Sequence, residues 1–302
     1  MTGRPTPVPD ELRAATARLA ASGIDSARRD AEWLMAHVLG IDAGRLVLVD
    51  AIDDAPARAF RSAIDQRSQR IPLQHIIGTA AFGPVELAVG PGVFIPRPET
   101  EYLLEWAVDR LRATPGSHFA ADFCSGSGAL AIGIAAMSPA TRVVAIEADE
   151  DALVWLRRNV ADATPAVGSR VDVVAADVTD PDQVAGAVPA GSVSVLVTNP
   201  PYVPLDAVVG PEVAHDPARA VFGGADGMSV IVPMVPVIAR TLTPGGVVGI
   251  EHDDTTADAV VSCLHAHGDF EEVTRHTDLT GRPRFVTARR RQAGSVGRGM
   301  AG

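Results

Sequence analysis

From about residue 100 onward, short runs of mainly apolar, β-branched-rich residues alternate with stretches of helical periodicity, and this alternation constrains the fold more than any other feature of the chain. The runs are VVAIE (143–147), VDVVA (171–175), VSVLVT (193–198) and GGVVGIE (245–251). A strand without polar alternation must be buried on both faces. Strands of that kind separated by helices build a mainly parallel sheet with helices on either side, an α/β, Rossmann-like architecture. The spacing predicts a helix over 99–113, the strand FAADF (119–123), a helix over 128–137, a strand over 142–147 and a helix over 150–160. Strands over 171–175 and 193–198 follow, then a helix over 228–242, a strand over 245–251, a helix over 255–267 and a closing strand pair near 270–275 and 283–288. Apolar residues make up 47% of the chain but aromatics only 4%, so this core must be built from Val, Ala, Leu and Ile.

The region before residue 100 reads differently. Leu12, Leu19, Ala31, Leu34, Met35, Val38 and Leu39 recur at helical spacing among Arg, Asp and Glu. A polar helix over about 55–70 stops before Pro72. No strand-like alternation is visible here, so residues 1–70 are expected to form a small helical domain. Over 71–95, Gly78, Gly83, Pro84, Gly90, Pro91 and Gly92 punctuate short apolar pieces, the pattern of a β-hairpin linker. The α/β domain is expected over 96–289 and a disordered tail over 290–302. A length of 302 residues suits one core domain with a smaller one attached.

The net charge of −11 is a poor fit to a protein that grips a nucleic-acid backbone over many base pairs, so no DNA partner is expected. The basic clusters, Arg13, Arg18, Arg28 and Arg29 near the start and Arg289 to Arg291 near the end, read as a solvated helix face and a tail. Cys124 and Cys263 have neither zinc-site nor disulfide-framework spacing. The first residues, MTGRPTPVPDELRAATARL, lack the apolar core of a signal peptide, and no apolar run is long enough to span a bilayer. A cytoplasmic, membrane-free monomer is expected.

The first α/β strand ends in Asp122-Phe-Cys-Ser-Gly126-Ser-Gly128-Ala-Leu-Ala131. Glycines at such a turn let the backbone approach a ligand without a Cβ in the way, and ligands of open α/β sheets bind beyond the carboxyl ends of the strands. Glu147 ends the next strand, about 20 residues on, the offset of an acid that accepts hydrogen bonds from ribose hydroxyls. A nucleoside-containing cofactor is expected. The loop alone does not separate NAD from S-adenosylmethionine.

Asn199-Pro200-Pro201-Tyr202 follows the strand VSVLVT. Two prolines fix φ and remove two backbone donors. The carbonyls of Asn199 and Pro200 become stiff acceptors, the Asn199 side chain adds an amide oxygen, and Tyr202 adds a flat wall. Fixed acceptors can hold both N–H groups of a primary amide or exocyclic amine while its nitrogen faces a methyl donor. As the methyl arrives, positive charge develops on that nitrogen, and acceptors aimed at its N–H groups stabilise the transition state more than the ground state. No general base of matched pKa is assigned.

These motifs together resemble the HemK/PrmC family of release-factor glutamine methyltransferases, over roughly residues 10–288. The most specific pieces are Pro72-Leu73-Gln74-His75-Ile76-Ile77-Gly78, Ile95-Pro96-Arg97-Pro98-Glu99-Thr100-Glu101, the 122–128 loop, Asn199 to Tyr202, and Asp278-Leu279-Thr280-Gly281. The resemblance implies a helical N-terminal domain, a hairpin linker and a seven-stranded class I methyltransferase sheet. It implies S-adenosyl-L-methionine as cofactor, S-adenosyl-L-homocysteine as product, and no metal. Cys124, Ser125, Gly126, Ser127 and Gly128 would contact the methionine part of the cofactor, Glu147 the ribose, and Asp177 and Val178 the adenine. Asn199 would lie beside both cofactor and substrate, with Pro200, Pro201 and Tyr202 completing the pocket, and Phe94, Pro96 and Arg97 as wall residues. The substrate would be the glutamine of the Gly-Gly-Gln motif of class I peptide chain release factors. A ribosomal-protein glutamine or a DNA adenine N6 are the alternative acceptors.

The chain departs from the family pattern in three places. Cys124 stands where the family usually has glycine, which is tolerable at negative φ. Val178 stands where a bulky aromatic is common, and Met-Ser-Val-Ile-Val-Pro follows Asp226-Gly227 in place of an aromatic-basic stretch. Arg97 could reach a cofactor carboxylate or a substrate backbone, or pair with Glu99 or Glu101. Glu251-His252-Asp253-Asp254 reads as a solvated loop and helix cap rather than a metal cluster.

Overall fold

A computed structural model describes residues 5–278 and 280–292 of the chain. The chain divides into two compact units, the first running to Thr79 and taking in Val209–His215, the second running from Ala80 to Val208 and resuming at Asp216.

The first unit carries β1 (Thr6–Pro7), α1 (Val8–Ala21), α2 (Ala27–Leu39), β2 (Ala51–Ile52), α3 (Asp54–Ser68) and α4 (Leu73–Ile77). Asp10 and Glu11 lie in the first turn of α1, where the helix dipole favours acids, and α2 ends on Gly40 at φ +63. Leu19, Leu34, Met35 and Phe60 are fully buried between the helices. The two-residue pairing of β1 with β2 is a strand element that the helical periodicity did not show. The basic cluster near the start is largely paired: Arg13 with Asp10 at 3.1 Å, Arg28 with Glu32 at 2.8 Å, and Arg18 with Asp65. A buried ion pair ties α2 to α3, with Arg67 Nε 2.7 Å from Asp30 Oδ2. Glu212, on the segment 209–215, accepts from Arg67 at 3.1 Å and from Arg70 at 2.8 Å.

The second unit opens with a two-stranded sheet of β3 (Thr79–Phe82) and β4 (Val85–Ala88). Next come α5 (Glu101–Ala113), β5 (His118–Phe123), α6 (Ala129–Met137), β6 (Thr141–Glu147), α7 (Glu150–Asp162), α8 (Pro165–Gly168), β7 (Val171–Ala175), α9 (Pro181–Ala187) and β8 (Val193–Thr198). The chain closes with α10 (Ala218–Val221), α11 (Ile231–Thr241), β9 (Leu242–Glu251), α12 (Ala257–His267), β10 (Phe270–Thr277) and β11 (Pro283–Arg290). Seven strands form one sheet in the order β10-β11-β9-β8-β5-β6-β7. β5 to β9 run parallel, and β11 is antiparallel to both neighbours. The expected Rossmann-like, mainly parallel seven-stranded sheet is therefore present.

Both faces of this sheet are buried, and successive strand residues divide between them. Phe123, Val144, Ile146, Leu196, Val248 and Ile250 pack on one side with α11 and α12. Ala120, Val143, Ala145, Val195, Val197 and Val247 pack on the other with α5, α6 and α7. Gly249 lets α5 settle on the sheet, because a Cβ there would lie 2.5 Å from Leu103 Cδ1. Arg289 and Arg290, read as part of a tail, are strand residues, and Arg289 pairs with Glu272 at 2.9 Å. Residues 293–302 and Leu279 lie outside the described residues. Among the described residues no helix is long and apolar enough to cross a membrane.

The strand order reverses beside β5: β6 and β7 extend the sheet in one direction, and β8 returns to the other side. Such a reversal opens a crevice at the carboxyl ends of the strands. Phe123 and Thr198 are register partners across it, so Cys124 and Asn199 both step out of the sheet at the same level.

Candidate active site

A cavity of about 430 Å³ lies at those carboxyl ends within the second unit, a size in the range of roughly 300–1,000 Å³ that suits a small-molecule ligand. Cys124, Ser125, Gly126 and Ser127 line it, as do Glu147, Asp177, Val178 and Asn199. Phe94, Pro96 and Pro201 also reach it. Gly128, Pro200, Tyr202 and Arg97 are sequence-selected residues that do not line it.

Gly126 sits at φ +54 with nothing within 4 Å of where a Cβ would be, so the bare backbone faces open space. Gly128 acts from behind: it caps α6 at φ +88, and a Cβ would stand 2.6 Å from Leu156 Cδ1. The turn is held by Gly128 N donating to Ser125 O at 2.8 Å and Ser125 N donating to Ile146 O at 3.0 Å. Cys124 corrects the expectation of a negative φ: it adopts φ +57, a left-handed conformation that costs a non-glycine residue about 1 kcal/mol. Its side chain packs against the core, and burial pushes the thiol up.

Asp122, near the end of β5, is a lining residue that the sequence reading quoted as the start of the 122–128 loop but gave no role. It is 1% exposed; Oδ2 accepts from Ala131 N at 3.1 Å, while Oδ1 has no partner among the described residues. Burial pushes this carboxyl up to about 8. A buried acceptor left without a partner among the described residues suits a ligand cation.

Glu147 is half-buried. Its Oε2 accepts from Gly126 N at 2.8 Å and its Oε1 from Ala148 N and Asp149 N at 2.9 Å. Burial raises its pKa against these three donors. Asp177 folds its own turn, accepting from the Thr179 amide at 2.8 Å and hydroxyl at 2.7 Å, and brings buried Val178 to the cavity wall. Arg219 reaches over the cavity from α10 to pair with Asp149, and with Asp151 at 3.1 Å.

Asn199 Nδ2 donates to Thr100 Oγ1 at 3.2 Å. Among the described residues no donor meets Asn199 Oδ1 or the backbone carbonyls of Asn199 and Pro200. Tyr202 points elsewhere: its hydroxyl donates to Glu251 Oε1 at 2.9 Å. Glu251 is 4% exposed and His252 2%, so the Glu251-His252-Asp253-Asp254 stretch is not the solvated loop expected. Nor does it cap α12, whose N-cap is Thr256 without a side-chain bond; Asp253 Oδ1 instead accepts from Thr255 N at 2.9 Å in the turn before the helix. Burial pushes Glu251 up to about 7, against hydrogen bonds from Thr100 and Tyr202 that favour its anion. Arg97 pairs with Asp216, not with Glu99 or Glu101, and lies over the Phe94 ring at 4.8 Å. Glu99 instead lies 3.9 Å from Arg284. Thr100 and Glu251 stood within stretches singled out in the sequence but were given no role there; the fold brings Thr100 to Asn199 and Glu251 to Tyr202.

Residues 10–78 match the family described as the PrmC N-terminal domain, and residues 100–216 match the methyltransferase small domain. The release factor glutamine methyltransferase of Mycolicibacterium smegmatis is 52% identical over 280 residues, covering 92% of this chain and 96% of the relative. That of Mycobacterium tuberculosis is 46% identical over 281 residues, covering 91% of this chain and 89% of the relative. Among solved structures, the release factor-specific protein-(glutamine-N5) methyltransferase of Alicyclobacillus acidocaldarius is 24% identical, with a TM-score of 0.39 over 67% of this chain and 98% of that one.

Proposed function

The chain belongs to the release factor glutamine methyltransferase family, and on that premise we propose the following reaction for it. The enzyme transfers the methyl group of S-adenosyl-L-methionine to the side-chain amide nitrogen (N5) of the glutamine in the Gly-Gly-Gln motif of class I peptide chain release factors. The observation that carries this reading is the Asn199 amide at the mouth of the β5/β8 crevice, with its nitrogen tied to Thr100 and its oxygen without a partner among the described residues.

The residues present fit the cofactor. The bare backbone at Gly126 and the lone Asp122 Oδ1 suit the charged methionine end, with Cys124, Ser125 and Ser127 beside them. Glu147 suits ribose hydroxyls, and Asp177 with Val178 the adenine edge and face. When bound, S-adenosyl-L-methionine supplies an electrophilic methyl group on a sulfonium.

The chain's own residues do the remainder. Asn199 Oδ1 and the Pro200 carbonyl accept the two N–H bonds of the substrate amide. The rigid Pro200-Pro201 backbone keeps those acceptors in place, which removes much of the orientational cost of the reaction. The glutamine nitrogen is a weak nucleophile because its lone pair is shared with the carbonyl. Acceptors already aimed at its N–H groups favour the charge that grows there during transfer. Gly128 stiffens the loop from behind, Tyr202 anchors the motif through Glu251, and Phe94 and Pro96 form the outer wall, with Arg97 over the Phe94 ring. The helical first unit is assigned to gripping the body of the release factor, because one glutamine side chain offers little surface for specificity.

The test is a competition: labelled S-adenosyl-L-methionine with a mixture of release factors, ribosomal proteins and DNA. Label confined to release factors supports the reading; label on a ribosomal protein or on DNA in preference overturns it.

A further inference from the structure

We propose that the turn Gly223–Gly227 is a positioning element that sets the direction of the Asn199 and Pro200 acceptors, acting through the backbone of Pro201 and Tyr202. This inference rests on the reading of those acceptors as the grip on the substrate amide. A proline ring fixes φ, but the direction of its own carbonyl is set by ψ, which the ring leaves soft. The Asn-Pro-Pro-Tyr stretch therefore needs a constraint from outside at its carboxyl end. Its amino end has one, because Thr198 is held in β8 in register with Phe123 and Ile250.

Among the described residues no backbone N–H donates to the Pro201 or Tyr202 carbonyl. Glycine backbone packs against them instead. A Cβ on Gly223 would stand 2.5 Å from the Pro201 oxygen and 2.7 Å from the Gly227 oxygen. A Cβ on Gly227 would overlap the Tyr202 oxygen and lie 3.3 Å from Thr256 Cγ2. The two glycines thus bring bare backbone against consecutive carbonyls of the motif, an approach that any side chain would block. The turn is itself tied down. Val203 N donates to Val221 O and Gly223 N to Val203 O, both at 2.9 Å, and Leu205 N donates to Gly224 O at 3.0 Å. Ser229 N closes the turn onto Gly223 O at 2.9 Å, and Asp226 Oδ1 accepts from Met228 N at 3.0 Å.

The same turn reaches the cofactor side of the site. Ser229 and Val230 line the cavity, and a Cβ on Gly224, at φ +86, would stand 2.9 Å from Ser229 Cβ. Gly223 and Gly227 therefore serve the substrate motif, and Gly224 serves the cofactor wall. Neighbouring substitutions in one turn should then have opposite kinetic effects, which a general loss of packing would not produce. Gly223 is the cleaner site for the test, because it does not have a positive φ and alanine there adds the close contact without backbone strain.

The experiment uses the full chain with an intact release factor, measuring kcat at saturating S-adenosyl-L-methionine and affinity for S-adenosyl-L-homocysteine by calorimetry. Gly223→Ala is expected to lower kcat on the order of ten- to a hundredfold, the cost of displacing a positioned group by a fraction of an ångström to an ångström, with the affinity retained. Gly224→Ala is expected to show the opposite split, with its larger loss in affinity. Wild-type kcat in Gly223→Ala, or the same split in both variants, overturns the proposal. Should Gly223→Ala fail to fold, the exposed Asp226 tests the same turn without adding atoms. Asp226→Ala is expected to lower kcat several-fold and Asp226→Asn to restore most of it, and wild-type kcat in Asp226→Ala overturns the proposal. The carbonyl carbon resonances of Pro201 and Tyr202 read the displacement without turnover: they should move in whichever of Gly223→Ala and Asp226→Ala folds, and unmoved signals overturn the proposal even if the glutamine reading itself fails. That reading fails separately, if wild type methylates no glutamine or Asn199→Ala keeps the activity.

Discussion

The Tyr202 hydroxyl donates to Glu251 Oε1 across 2.9 Å, joining residues 49 positions apart, one in the segment after β8 and one at the end of the adjacent strand β9. The bond explains why the tyrosine of the Asn-Pro-Pro-Tyr motif does not line the cavity: its polar end is turned inward to a buried acid. It also gives the acid a measurable effect on stability.

Glu251 has a folded pKa raised from 4.5 to about 7. Between those values the folded state binds more protons than the unfolded state, so stability falls as pH rises through the window. Glu251→Gln lacks that slope. The stability of the variant relative to wild type should therefore improve from pH 4.5 to about 7, by at most about 3 kcal/mol. Urea unfolding at a series of pH values checks this; parallel curves for the two proteins would contradict it.

Asp122 should respond to ligand charge. The Asp122→Asn variant keeps the shape but cannot ionise, and a charge-assisted hydrogen bond contributes about 1.5–3 kcal/mol. Affinity for S-adenosyl-L-methionine is expected to fall at least tenfold by calorimetry. In wild type, with Asp122 at about 8, affinity should rise with pH through that value as the carboxylate forms. Equal affinities for variant and wild type would remove Asp122 from the binding site.

Gly128→Ala should damage the loop from behind. The new methyl meets Leu156 Cδ1 at 2.6 Å while φ stays at +88. A loss of about 1–3 kcal/mol in unfolding free energy, with weaker cofactor binding, is the expected result. A variant as stable as wild type would show that the loop has room to relax.

In the helical unit, Asp30→Ala removes one partner of the buried pair with Arg67, which lies 2.7 Å away. An uncompensated buried charge typically costs about 3–5 kcal/mol. Glu212 still faces Arg67 at 3.1 Å, so the lower end of that range is expected in thermal or urea unfolding. A change under about 0.5 kcal/mol, the size of an ordinary surface substitution, would mean the pair is not buried in solution.

The parallel strands were legible because Val, Ala and Ile run unbroken from 143 to 146 in β6 and Val and Leu dominate β8, with Ser194 between them. β9 begins at Leu242, three residues before the apolar run suggests, because backbone pairing of Leu242 with Val193 carries the strand through Pro244 and Gly245. The short α9 was missed although its start was written in the sequence: Asp180 caps it, accepting from Asp182 N and Gln183 N, and Pro181 follows. The glycine loop, Glu147 and Asn199 were readable from local spacing. What could not be read locally was any partner set by topology. Arg97 finds Asp216 and not the nearer Glu99, and Asn199 finds Thr100, because the fold brings together segments that are far apart in sequence.

The central claim is tested most directly by fragmenting a release factor after incubation with the enzyme and S-adenosyl-L-methionine, and locating the added methyl by tandem mass spectrometry. The expected result is one methyl on the N5 atom of the Gly-Gly-Gln glutamine with wild type. With Asn199→Ala, which should still bind S-adenosyl-L-homocysteine, the rate should fall on the order of 100- to 1,000-fold. A methyl on any other atom, or an undiminished rate in the variant, would contradict the account.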